Sequence, residues 1–190
     1  MINEYTLFNG VARRLRRAAP SSVGALACAA CLMGCARLPA DDGDLAVPDR
    51  EVFPLVSDAL ERRCATLDCH GSRGRNLRLY TGSGLRLDEA AVPGSGSTTE
   101  AEYDASYRSL VALEPIVLDA VVSEGGARPE RLTLVRKARG VEKHAAGAVL
   151  EAGGDADLCL VSWLGPQLDE EACARAAEIA PPAGWPRDEP

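Results

Sequence analysis

The chain has 190 residues, with 28 acidic residues against 21 basic ones for a formal charge of −7, and only 4% of it is aromatic. That length accommodates one small domain together with processing segments, and the acidic balance makes nucleic acid and anionic lipid poor partners. No Gly-x-Ser-x-Gly, phosphate loop, dinucleotide fingerprint or His-Glu-x-x-His occurs, so nothing argues for hydrolytic chemistry.

At the N-terminus, Arg13, Arg14, Arg16 and Arg17 precede a small-residue apolar run over 23–33. The run is too short for a permanent membrane span, and its basic flank reads as a secretory signal. An uncleaved anchor or a buried apolar helix is the alternative. Leu32-Met33-Gly34-Cys35 closes the run and resembles the lipobox of bacterial lipoproteins. The resemblance implies cleavage before Cys35, acylation of that cysteine and attachment to the bilayer, since two or more chains anchor stably where one does not. Residues 1–34 then form a signal peptide and 35–49, rich in Pro, Asp and Gly, the lipidated cysteine and its tether. A folded domain over 50–180 and a flexible tail over 181–190 follow. The mature chain would keep 17 basic and 27 acidic residues and would face the periplasm from the cell envelope. Ala36 after the acylated cysteine favours the outer membrane by analogy with that family.

Apolar residues Val52, Phe53, Leu55, Val56, Ala59 and Leu60 recur at spacings of three and four, which predicts a helix running into Cys64. There follows Cys64-Ala65-Thr66-Leu67-Asp68-Cys69-His70-Gly71, the element on which a function can be argued. Covalent attachment of a c-type haem takes two cysteine sulfurs for the two vinyl groups and a histidine directly after the second to reach the iron. Cys69-His70 keeps that adjacency, but four residues separate the cysteines where the usual signal has two. Residues five apart on a helix are turned by about 140°, so both thiols reach one macrocycle only if the backbone leaves the helix between them. The same residues are compatible with a Cys64–Cys69 disulfide, with a zinc site of Cys64, Cys69, His70 and His144, or with a relic motif.

Beyond His70 lies a glycine-rich loop, with Gly71, Gly74, Gly82 and Gly84, ending in Gly84-Leu85-Arg86-Leu87-Asp88. Such glycines suit close backbone approach to a planar cofactor. Cys-His-Gly, a glycine-spaced loop and Gly-Leu-Arg-Leu-Asp together resemble the cytochrome-c-like domains of bacterial envelope proteins. The resemblance implies a mainly α, small helical domain with long Gly-rich loops, a leucine-bearing basic segment before the distal side of the haem, and a closing helix with a buried Trp.

Ser97-Thr98-Thr99-Glu100 predicts a capped helix start running to about residue 112, with Tyr103, Tyr107, Leu110 and Val111 as its apolar stripe. The run 115–122 is either a strand or a short buried helix, and 129–137 reads as another short helix. Both methionines, Met1 and Met33, fall in the signal segment, so a methionine ligand is excluded from the mature chain. His70 and His144 are the only histidines. With haem c bound, His70 is the expected proximal ligand and His144, in a glycine-bounded loop, the expected distal one. A lysine ligand at Lys137 or Lys143, an open position, or a solvated His144 are the alternatives. Two histidines give a lower potential than a His/Met pair, and the acidic body suits a basic redox partner. Finally, 155–164 and 169–180 predict a helix hairpin. In an oxidising envelope, a Cys159–Cys173 bridge would staple it.

Overall fold

The computed structural model describes residues 44–178; the proposed signal, Cys35 and tail 181–190 lie outside them. Six α-helices and one 3₁₀ turn make up the regular structure of these residues, with no strand among them beyond an isolated Tyr80–Leu85 bridge. The domain is thus mainly α. No helix among the described residues is long and apolar enough to cross a membrane.

Helix α1 spans Phe53–Cys64, with Pro54 in the first turn, where no amide hydrogen is needed, and Arg62 and Arg63 at its negative end. Helix α5 spans Asp155–Trp163 and α6 Glu170–Ala177, the latter capped by the Asp169 carboxylate, which accepts from the amide of Ala172 at 2.9 Å. The three helices pack on one another, and Cys159 and Cys173 join α5 to α6 in a buried disulfide with a Cα–Cα distance of 4.7 Å. Beneath them Phe53, Trp163 and Tyr107 form an aromatic cluster, with ring centroids 5.2 Å apart for Phe53–Trp163 and 5.4 Å for Phe53–Tyr107. Trp163 is 1% exposed.

That burial draws in the end of the expected tether. The Trp163 indole donates to the Asp49 carbonyl at 2.7 Å and the Tyr107 hydroxyl to the Pro48 carbonyl at 2.8 Å, while the Ala46 amide donates to Asp119 at 2.8 Å. Residues 46–49 therefore belong to the folded domain, because buried polar groups need partners and this segment supplies them.

Helix α2 spans Glu100–Val111 and packs on α1. Its cap lies two residues along from the expected position: Thr99 is the N-cap, and the reciprocal partner is Glu102. Glu102 is 2% exposed and accepts from the Leu87 and Thr99 amides and, through both oxygens, from Arg86 at 2.8 and 3.2 Å. Arg86 donates further to the carbonyls of Gly82, Ser95 and Ser97. The arginine of the Gly-Leu-Arg-Leu-Asp sequence thus organises the long loop and ties it to α2. Burial pushes the Glu102 carboxyl up, but the Arg86 guanidinium and the amides more than offset this and bring it down to about 2.

The ambiguous run 115–122 is helix α3, Pro115–Ser123: Pro115 starts it, and Leu118 and Val121, three apart, are its buried residues. The expected helix over 129–137 divides into a 3₁₀ turn, Pro129–Arg131, and helix α4, Thr133–Ala138. Leu132 between them is extended, which ends the 3₁₀ turn and lets α4 start afresh, and its side chain is 4% exposed.

Candidate functional site

The C-terminal turn of α1 opens on a cleft of about 520 Å³, a size suited to a cofactor. Leu60 of α1, Leu110 of α2 and Leu160 of α5 contribute to its walls, with Leu77, Leu79, Leu134 and Leu150 from the segments around it. Cys64, His70 and His144 also line it.

The backbone leaves the helix after Cys64 as the spacing requires. The Cys69 and Gly71 amides donate to the Thr66 carbonyl at 2.9 and 3.0 Å, and the His70 amide returns to the Cys64 carbonyl at 2.9 Å, closing a compact turn. Two glycines hold this turn. A Cβ on Gly71 would lie 2.1 Å from the Ala65 carbonyl oxygen, and one on Gly84 2.2 Å from the same atom. The expected glycine approach to a cofactor is therefore, at these two positions, an approach of backbone to backbone that packs the loop on the turn.

His70 is half-buried, and its Nδ1 lies 3.1 Å from the Leu77 carbonyl. A carbonyl only accepts, so Nδ1 carries the hydrogen and the neutral ring leaves Nε2 bare. Burial holds the ring below the usual histidine range, and the neighbouring His144 lowers it further, against the pull of the Leu77 carbonyl. His144 repeats the arrangement: its Nδ1 lies 3.0 Å from the Gly147 carbonyl, which again assigns the hydrogen to Nδ1. The His144 loop is stapled to α4. Val149 and Leu150 donate to the Ala138 carbonyl at 2.8 and 2.9 Å, Lys137 donates to the Lys143 carbonyl at 2.9 Å, and Arg136 and Lys137 both pair with Glu142.

Seventy-four positions apart in sequence, the two imidazoles come together across the cleft, with centroids 6.1 Å apart and planes inclined by 15°. His144 is partly buried, and its contact with the Gly147 carbonyl is open to solvent. Anchoring of each Nδ1 on a carbonyl is the second-sphere pattern that orients a metal-ligating histidine.

The cysteines behave differently from one another. Cys64 lines the cleft, and burial pushes its thiol up to about 12, so it stays a protonated thiol. Cys69 is half-buried in the turn and is not part of the lining. Both are free, so the alternative Cys64–Cys69 disulfide is not formed. No group of three or more His, Cys, Asp or Glu side chains placed to hold a metal ion occurs among the described residues. Lys137 is occupied by Glu142 and the Lys143 carbonyl.

Two imidazoles, one thiol and apolar walls are thus what the cleft offers a ligand. Sequence reasoning missed the leucines that wall the cleft and the Glu114 carboxylate, which accepts from the amide and hydroxyl of Thr133 at 2.7 and 2.9 Å. It also missed the Arg86–Glu102 pair, although Thr99-Glu100-Ala101-Glu102 has the capping-box spacing that points to Glu102. No family model matches the chain, and no curated protein and no solved structure matches it.

Proposed function

We propose that this protein is a c-type haem-binding electron-transfer lipoprotein, anchored by acylated Cys35 and facing the periplasm. The observation that carries the reading is the pair of carbonyl-anchored, nearly parallel imidazoles of His70 and His144, 6.1 Å apart across a leucine-walled cleft. His70 and His144 would hold the iron, and Cys64, which lines the cleft, would form one thioether, with Cys69 of the adjoining turn having to reach the cleft for the second. The haem, when bound, supplies one-electron transfer. The protein's own contributions are distinct: the Leu77 and Gly147 carbonyls keep Nδ1 protonated and the rings aimed, and the leucines exclude water. Depression of His70 keeps its ring neutral, as ligation needs. Two imidazoles and no methionine favour a low potential.

The test is expression with the export signal in a host that matures c-type cytochromes. A Soret band and a haem mass on the peptide containing Cys64 to His70 are expected. A colourless protein with both thiols unmodified would overturn the reading. A haem-free structural or interaction lipoprotein is the second reading, favoured by one observation: the aromatic cluster and the Cys159–Cys173 bridge close the α1, α5 and α6 packing without help from the cleft.

A further inference from the structure

The surface beside the cleft has the opposite charge to the chain as a whole. Arg73, Arg75, Arg78 and Arg108 line an open groove of about 800 Å³ whose lining contains no carboxylate. The formal charge of the chain is −7. All four arginines are exposed. Arg73 pairs with Glu89 at 3.2 Å, but those side chains are 62% and 82% exposed, where such a pair holds little energy. Arg78 and Arg108 make no ion pair among the described residues.

Two observations link the groove to the cleft. Gly74, Arg75, Asn76 and Leu113 line both. Arg75 also donates to the Cys69 and Asp68 carbonyls at 3.3 and 3.0 Å, so the turn that carries Cys69 and His70 holds one of the groove's cations in place.

We propose that the groove of Arg73, Arg75, Arg78 and Arg108 is the docking surface for an acidic protein partner, which it seats at the mouth of the His70–His144 cleft. Local charge, rather than the overall negative sign, governs which face of a partner is steered to the cleft. The acidic remainder of the chain repels an extended polyanion that overruns the groove, so a compact acidic protein face is a better complement than nucleic acid. That the partner exchanges electrons rests on the electron-carrier reading above; that the groove binds carboxylates does not.

The test titrates isotope-labelled full-length protein with a hexaglutamate peptide at low salt, following backbone amide shifts. Shifts confined to residues 73–80 and 105–113 are expected. Affinity should fall on the order of tenfold in the double variant Arg78→Glu/Arg108→Glu and stay near the parent's in Arg128→Glu/Arg175→Glu. Rising salt should weaken binding of the parent steeply. Equal loss in both double variants, shifts elsewhere, or tighter binding of a hexathymidylate would each overturn the proposal. So would self-association abolished only by the groove variant, which would make a second copy the occupant. Groove-specific binding by a protein that carries no haem would uphold the docking surface and overturn only the redox reading; haem loading without such binding would do the reverse.

Discussion

The two ends of helix α1 sit in contrasting surroundings. At Phe53 the helix is sealed into the aromatic cluster with Tyr107 and Trp163, alongside the α5–α6 hairpin and its disulfide. At Cys64 it opens on a cleft whose two polar side groups of interest are held by loops, through single hydrogen bonds to carbonyls. The first end is closed by packing, and the second carries the proposed site. Burial at the closed end lets the open end keep a large apolar cleft without loss of the fold.

If that division is correct, truncation at the closed end has the largest effect on stability. Trp163→Ala removes the largest of the fully buried side chains and leaves the Asp49 carbonyl without its donor; a loss of about 3–5 kcal/mol is expected in denaturant unfolding. Replacing Cys159 and Cys173 by serine opens a link between positions 14 apart and should cost about 3 kcal/mol, measured against the disulfide-bonded parent. A fall in stability much smaller than this would mean that the hairpin is held by packing alone.

The junction between the two ends is tested by acid. Glu102 has its carboxyl brought to about 2 from an ordinary 4.5. Above pH 4.5 it is ionised in both folded and unfolded chains, and its stabilisation is complete. Below that the unfolded chain takes up the proton first, so stability falls until about pH 2, by a total on the order of 3 kcal/mol. Glu102→Gln should lower stability at neutral pH and flatten this acid limb in unfolding curves followed from pH 6 to 2.

The smallest effect on stability belongs to the cleft. His144→Ala removes a half-buried ring on a loop and should change unfolding free energy by no more than about 0.5 kcal/mol. On the proposed haem-binding reading, the same change should alter the absorbance spectrum of the loaded protein by removing one of the two histidine ligands. A large loss of stability with an unchanged spectrum would collapse the distinction between the two ends.

Much of the fold was legible wherever apolar spacing was dense. The stripe over 52–60 marks α1, and the Asp-rich starts and intervening Gly165-Pro166 mark the α5–α6 hairpin. Residues 115–122 were not legible, because a short run of β-branched residues has no period to separate strand from helix. The docked segment 46–49 was equally obscure, since its composition is that of a tether and its attachment depends on Trp163 and Tyr107, more than fifty positions away.

The sequence by itself determined the chemistry at hand: two histidines, a Cys-Cys-His turn of unusual spacing, and two further cysteines placed to bridge a hairpin. Those are matters of residue type and local spacing, which folding does not alter. The tertiary structure alone decided that His70 and His144 face one another, that Cys64 lines the cleft while Cys69 does not, and that the glycines clamp a turn. These depend on loops closed by long-range packing and backbone hydrogen bonds, and no local pattern records where such loops meet.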